Sequence, residues 1–320
     1  MDLRQADLTM RPITGPEELE IFGGLSYLLD AELAGDLQAG RRQPEWMWVA
    51  LRANRLLARA AWWSRETERE PLLLDVFDID DVADDRRHAI EVGALLLETA
   101  LANILPAGTR PPGYIRFVPP NWRDDETVRR TVDDRIAALE RVGARPLVER
   151  LRLEWRSGTP LPAPSRRLTF RPVSDRDELV VLMTLALENT LDAHSREALK
   201  RNRPEQVAAE QYDREFMAYS SPRDWWRIAT LPDGQPVGFV IPAHNGYNPI
   251  IAYIAVLPDQ RGMGYVHDIL SEGTRVLAAE NVPRIRASTD LDNVPMANAF
   301  ERSGYIVFQR QIDMTWDSIL

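Results

Sequence analysis

The chain of 320 residues contains no cysteine and a single lysine, Lys200, so almost all of its positive charge is carried by arginine. The absence of thiols excludes disulfides, thiolate metal sites and a cysteine nucleophile, and it fits a cytoplasmic protein. Histidine is scarce too, confined to His88, His194, His244 and His267. No N-terminal apolar segment reads as a signal peptide, and no run of about 18 apolar residues is present to span a bilayer, so no membrane partner is expected. Acidic residues outnumber basic ones, 49 to 39, for a net charge of −10. That balance opposes general nucleic-acid binding, which needs a basic stripe. It favours cationic small molecules through long-range steering.

What is present is an ordinary globular composition, 44% apolar and 28% charged, in a chain long enough for two domains. The chain also repeats itself. Residues 8–19 (LTMRPITGPEEL) match residues 168–179 (LTFRPVSDRDEL) without gaps, and residues 138–143 match 299–304, with Trp155 then aligning with Trp316. Two matches at nearly the same offset imply a duplicated unit. Between the copies lies a proline-rich stretch, residues 158–167, with extended bias. The expected division is therefore 1–157, a linker at 158–167, and 168–320. Each copy reads as a first strand, helices, a hairpin, a buried strand, a long helix, another strand, a short helix and a closing hairpin. This is a mixed α/β (α+β) unit, used twice.

One loop stands out. Residues 256–265 read VLPDQRGMGY and lie between an apolar, β-branched strand (250–256) and an amphipathic helix (265–279). A glycine-bearing loop that feeds a helix start offers free backbone N–H groups at the positive end of the helix dipole, a site for a phosphate or pyrophosphate. Gly262 and Gly264 let the backbone approach an anion, and Arg261 adds a full charge. Farther on, Asn293, Ala297, Glu301, Gly304 and Tyr305 mark a short helix with a glycine stop.

Together these residues resemble the GNAT superfamily of acetyl-CoA-dependent N-acyltransferases. Its signature V-x-P-x-x-R-G-x-G-x-G/A is matched by Val256, Pro258, Arg261, Gly262 and Gly264, and its later N-x-x-x-A motif by Asn293 and the residues after it, at nearly the family spacing. The resemblance covers roughly 168–318. Two GNAT-like domains in one chain are also the arrangement of mycothiol synthase-like proteins, a likeness of architecture only. The resemblance implies acetyl-CoA as cofactor and a small amine as acceptor, with the working site in the second copy. It places the pyrophosphate on Arg261, Gly262, Met263, Gly264, Tyr265 and Val266, the pantetheine arm along Val256, and the oxyanion donor at the backbone N–H of Ile254. It puts Asn293 within reach of the cofactor.

Two positions depart from the family pattern. Val266 replaces a glycine or alanine, and Phe300 stands beside the expected cofactor where a proton-donating tyrosine is frequent. The usual carboxylate base would fall at Ile250, which cannot serve. Tyr253, His244, Asp290, Glu188 and His194 remain as candidates for proton transfer. Asp290 and Asn293 also read as helix-capping residues. In the first copy the corresponding loop, residues 78–88, has no glycine and five aspartates. Their charge would repel a pyrophosphate, so that copy is expected to lack the cofactor site. A non-catalytic acyl-CoA-binding or interaction protein of the same fold is the alternative from another class.

Overall fold

The computed structural model describes residues 7–66, 68–82 and 85–317. They form two compact units, Met1–Val148 with Gln311–Leu320, and Glu149–Arg310. In the first unit, β1 (Leu8–Pro12) leads to α1 (Leu19–Phe22) and α2 (Asp30–Gln38). The hairpin β2 (Met47–Arg52) and β3 (Arg55–Trp63) follows, then β4 (Leu73–Ile79), α3 (Arg86–Ile104), β5 (Gly113–Val118) and α4 (Glu126–Arg141). The next strand, β6 (Ala144–Arg156), begins in this unit and ends in the second. The second unit continues with β7 (Thr169–Pro172), α5 (Arg176–Ala186), α6 (Ala193–Leu199) and α7 (Pro204–Arg214). Then come β8 (Arg227–Thr230), β9 (Pro236–His244), β10 (Pro249–Val256), α8 (Tyr265–Ala278), β11 (Arg284–Asp290) and α9 (Val294–Arg302). The last strand, β12 (Ile306–Trp316), begins in the second unit and ends in the first.

Strands run β1-β2-β3-β4-β5 in the first unit and β6-β11-β10-β9-β8-β7 in the second. Each sheet is antiparallel except for one parallel pair, β4 with β5 and β10 with β11. This is the mixed α/β tandem architecture expected from the repeat. The closing hairpins expected at the copy ends are absent: each copy ends in one long strand, β6 or β12. Neither run holds a glycine or proline pair to turn it, and β6 pairs continuously with β11 from Arg150 to Arg156. Because each long strand passes from one unit to the other, Trp155 is buried in the second unit's core and Trp316 in the first's. The Trp316 ring donates to Val142 O at 2.9 Å. The contact-based units thus part within β6 and β12, whereas the sequence repeat divides at the proline-rich stretch.

In the second unit, α8 lies across β9 and β10. Ile269, Leu270 and Leu277 are fully buried there, each contributing roughly 2 kcal/mol of hydrophobic stabilisation. Gly238 leaves room for both neighbours, since an added Cβ would stand 2.9 Å from Ile269 Cδ1 of α8 and 2.2 Å from Ala255 O of β10. Opposite faces of this sheet carry separate cores. Val240, Ile251 and Ile254 pack with α8, while Phe239, Ile241 and Tyr253 pack with α5 and α7.

The duplicated start motif builds the same device twice. Arg11 pairs with Glu18 at 2.6 Å, and the Thr14 N–H donates to the same carboxylate at 2.8 Å. Likewise Arg171 pairs with Glu178 at 2.5 Å, joined by the Ser174 N–H at 2.9 Å. In both, the arginine leads in holding the glutamate down to about 2. A carboxylate with a depressed value stabilises the fold above its unfolded value of 4.5 and loses that contribution as pH falls toward 2. The melting temperature of the wild type should therefore drop between those limits more than that of a Glu18→Gln/Glu178→Gln double variant. Equal declines in a thermal melt series would show that these pairs carry no acid sensitivity.

Candidate functional site

The site begins where two parallel strands part. β10 pairs with β11 only at Ile250–Arg286, and beyond it the β11-facing edge of β10 has no hydrogen-bonded neighbour. The direction of each N–H follows from register. The Leu257 N–H donates to Val237 O at 2.8 Å, and bonded and non-bonded pairs alternate along an antiparallel ladder. Ile254, opposite Val240, and Val256, opposite Gly238, therefore occupy non-bonded pairs, with N–H groups aimed into the cleft. A bulge at Ala252 interrupts the register. It places Ala252 and Tyr253, consecutive residues, on the same face of the sheet, against α5 and α7.

The loop after β10 closes one end of the cleft. Gly262 and Gly264 adopt left-handed φ of 79° and 75°, and Gly264 is the N-cap of α8 without any side-chain cap. An added Cβ at either glycine meets nothing within 4 Å, so the loop surface faces open space. The N–H groups of Gly262, Met263, Gly264, Tyr265 and Val266 have no hydrogen-bond partner among the described residues. Five free donors at the positive end of a 14-residue helix are groups to which an anion would be drawn. Val266, despite its branched side chain, leaves the backbone donor in place.

Arg261 lies differently from the direct phosphate contact anticipated. Its guanidinium donates to Glu188 O at 2.7 Å, Ala186 O at 2.9 Å and Val256 O at 3.2 Å. It thus straps the end of α5 to the end of β10 and fixes the loop between them. A partner absent from the sequence reading is Arg167. It donates to Met263 O at 3.0 Å, pairs with Asp268, and stands 4.8 Å over the Tyr265 ring. By holding carbonyls on one side, it turns the loop N–H groups to the other. Only the doublet Arg166-Arg167 before β7 signals it in the sequence.

The remaining candidates separate into near and far. Asp290 lies one residue beyond the level of Ile254 across the cleft, since three ladder steps separate Ile254 from the Ile250–Arg286 pair once the bulge residue is left out. It is 2% exposed, accepts from the Ala193 N–H at 2.7 Å, and lies 3.0 Å from Arg150 Nε. Burial, opposed by Arg150, pushes its carboxyl up. Its Oδ2 takes the Ala193 N–H at the start of α6, while Oδ1 is ion-paired with Arg150 but has no hydrogen-bond partner among the described residues. Tyr253 follows the bulge, and burial pushes its hydroxyl up, with Asp192 and Glu215 adding to the rise; it stays protonated at neutral pH. His244 sits at the far end of β9, opposite Pro249, about 13 Å along the strand from Ile254. Its Nδ1 accepts from the Gly246 N–H at 3.1 Å, so it closes its own turn and is too distant for proton transfer at Ile254. His194 and Glu188 are exposed. His267 is half-buried, with Nδ1 3.1 Å from Ser303 Oγ, tying α8 to α9.

Asn293 caps α9, its Oδ1 accepting from the Met296 N–H at 3.4 Å. The Phe300 ring is turned away from the cleft: it is 1% exposed and lies edge-on to Tyr305 at 5.0 Å. A cofactor contact there is replaced by core packing, because the apolar ring has no hydroxyl to draw it outward.

In the first unit the equivalent split is filled. β4 pairs with β5 only at Leu73 and Leu74, but Asp78 is fully buried and paired with Arg59 at 2.9 Å, Arg116 at 3.1 Å and Arg135 at 3.0 Å. Arg116 also donates to Phe77 O at 3.1 Å, bridging the parted strands. Arg135 additionally pairs with Asp81, and Arg55 with Asp80. One expectation is corrected: Asp78, Asp80 and Asp81 are neutralised by arginines rather than left as a bare negative loop. Asp85 caps α3; Ala83 and Asp84 of that loop lie outside the described residues. Among the described residues no cluster of three or more His, Cys, Asp or Glu could hold a metal. None of their helices is long and apolar enough to cross a membrane.

Residues 167–306 match the family model of the acetyltransferase (GNAT) domain. A GCN5-related N-acetyltransferase from Sphaerobacter thermophilus superposes with a TM-score of 0.60 at 16% identity, over 97% of this chain and 95% of that one. A tandem GNAT protein from the clavulanic acid biosynthesis pathway, solved without acetyl-CoA, gives 0.52 at 13%, over 96% and 98%. A glucosamine N-acetyltransferase region of a fungal multi-domain β-N-acetylglucosaminidase gives 0.59 at 13%, over 96% of this chain and 38% of that one. At these identities the likeness is one of fold. Residues 167–306 thus resemble a GNAT acetyltransferase domain, and the chain as a whole shares the fold of tandem GNAT proteins.

Arg261→Lys separates strap from charge. Lysine keeps the positive charge but cannot reach three carbonyls from one planar group. The variant should lose about 1–3 kcal/mol of stability in denaturant titrations and bind acetyl-CoA more weakly; wild-type stability and affinity would show that charge alone matters.

Proposed function

We propose that the second unit transfers an acetyl group from acetyl-CoA to the amine of a small molecule. The observation that carries this reading is the open cleft between β10 and β11, with the Ile254 and Val256 N–H groups aimed into it and the five free loop donors at its end. The residues fit the coenzyme. Gly262 to Val266 would hold its diphosphate, Val256 would pair with the amide-bearing arm, and the side-chain amide of Asn293, whose oxygen is spent on its cap, retains donors for a second contact. When bound, the coenzyme supplies an acyl group activated as a thioester. The Ile254 N–H then provides a fixed donor where negative charge grows on the acyl oxygen.

The amine must arrive neutral. The chemistry balances as a new N–C bond, a broken C–S bond, and a sulfur that leaves with its electron pair and gains the proton the amine gives up. Phe300 cannot supply that proton. Tyr253, protonated and next to Ile254 in the chain, is the hydroxyl we assign to that step. The first unit, its split bridged by Arg116 and Asp78, acts as a silent copy.

Gly264→Glu tests the loop donors. The position faces open space, so the fold should persist with a small loss of melting temperature from its left-handed φ, while a carboxylate beside the donors should abolish acetyl-CoA binding in calorimetry. Undiminished affinity would remove the site. The same titration of the wild type should give one coenzyme per chain, and two would show that the first unit also binds.

A further inference from the structure

The face of β10 that carries Tyr253 bears an unused charge. Tyr253 stacks on Phe239 at 5.4 Å and meets Phe216 edge-on at 5.9 Å, and Phe216 stacks with Tyr219 at 6.2 Å. The Tyr219 hydroxyl donates to Glu215 Oε1 at 2.7 Å, and Gln211 Nε2 donates to Oε2 at 3.3 Å. Glu215 is half-buried, yet both of these donors are neutral and no cation pairs with it among the described residues. A partly desolvated carboxylate without a countercharge is costly. The Tyr253 hydroxyl likewise has no hydrogen-bond partner among the described residues, and both Glu215 and Asp192 act on it electrostatically. Asp192 caps α6 through the Ser195 N–H at 2.7 Å, and its other oxygen is 3.8 Å from Arg150. The one cation that opposes them at Tyr253 is Arg261, three of whose N–H groups bind backbone carbonyls. This face therefore combines two carboxylates, an idle hydroxyl and the part-buried rings of Tyr253 and Tyr219 around one guanidinium held by the backbone.

We propose that Glu215, with Asp192, selects an acceptor bearing a second positive charge beside the reacting amine. The class is a diamine or an amine carrying a guanidinium group. One cationic end rests on Glu215 against the rings of Tyr253 and Tyr219, where carboxylate and aromatic faces both favour a cation. The other end, as the neutral amine, reaches Ile254. This rests on the acetyl-transfer reading of the same cleft, deepening it to a substrate class.

Three four-carbon probes of equal length decide it: diaminobutane, aminobutanol and aminobutanoate. Each is titrated calorimetrically into the wild type and Glu215→Gln, and each is assayed for thiol release from acetyl-CoA. The diamine should bind the wild type about tenfold more tightly than the alcohol, with the amino acid weakest. The preference should shrink with added salt. In Glu215→Gln the ratio of diamine to alcohol should fall toward one. Equal wild-type affinities for diamine and alcohol would overturn the proposal without any variant, and so would an undiminished ratio in Glu215→Gln. Because the titrations need no turnover, selective binding without thiol release would sustain the charge selection while sinking the acetyl-transfer reading, so the two failures are distinguishable.

Discussion

The parting of β10 from β11 is the constraint on which the second unit's chemistry depends. A paired strand spends its N–H groups on its neighbour, and a buried unpaired strand is costly. β10 escapes both conditions by keeping full pairing with β9 on one edge, while the other edge opens after Ile250 onto a cleft. The bulge at Ala252 falls at this transition. It reorients Tyr253 and leaves the Ile254 and Val256 donors pointing outward. Arg261 and Arg167 then fix the loop that closes the cleft, each by binding carbonyl oxygens, so that the opposite groups, the amides, stay exposed. The donor set is thus assembled by removing competitors for it rather than by adding charged side chains to it.

The first unit shows what the same geometry becomes when nothing enters it. Its strands part at the equivalent place, and β4 bulges at Asp75 against β3 as β10 bulges at Ala252 against β9, but Asp78, Arg59, Arg116 and Arg135 occupy the space. Three guanidinium groups around one carboxylate satisfy each other's hydrogen bonds and shield the strand, which explains why β4 is buried where β10 is only half-buried. Buried networks of this kind are tolerable only when every member is paired. Asp81 adds a second carboxylate on Arg135, and Asp30 Oδ1 stands 2.8 Å from Arg59 Nη2 as an ion pair without hydrogen-bond alignment. Duplication gave two similar frames, and divergence filled one of them with salt bridges.

Much of this was legible in the linear chain. The Arg-Pro-x-Ser/Thr-x-x-x-Glu start of each copy encodes a local ion pair over seven residues, so repeating the letters repeats the structure. The loop after β10 was legible for the same reason: positive φ at Gly262 and Gly264 and the start of α8 are properties of a few consecutive residues. The order of strands and helices followed from apolar periodicity. The copy ends were not legible, because whether an apolar run folds back as a hairpin or continues as one long strand depends on which distant strand receives it.

The sequence by itself determined the tandem mixed α/β units, the positions of the anion-binding loop and the loss of that loop in the first copy, since each is written in local backbone preference and side-chain charge. Only the tertiary structure decided which side chains the site uses. Arg261 became a strap because the carbonyls of α5 lie within its reach. Phe300 turned into the core, and His244 ended far from the reacting strand. Glu215 was left without a countercharge because α7 sets it among rings instead of arginines. Those outcomes depend on distances between segments far apart in the chain, and such distances are fixed by packing rather than by spacing along the backbone.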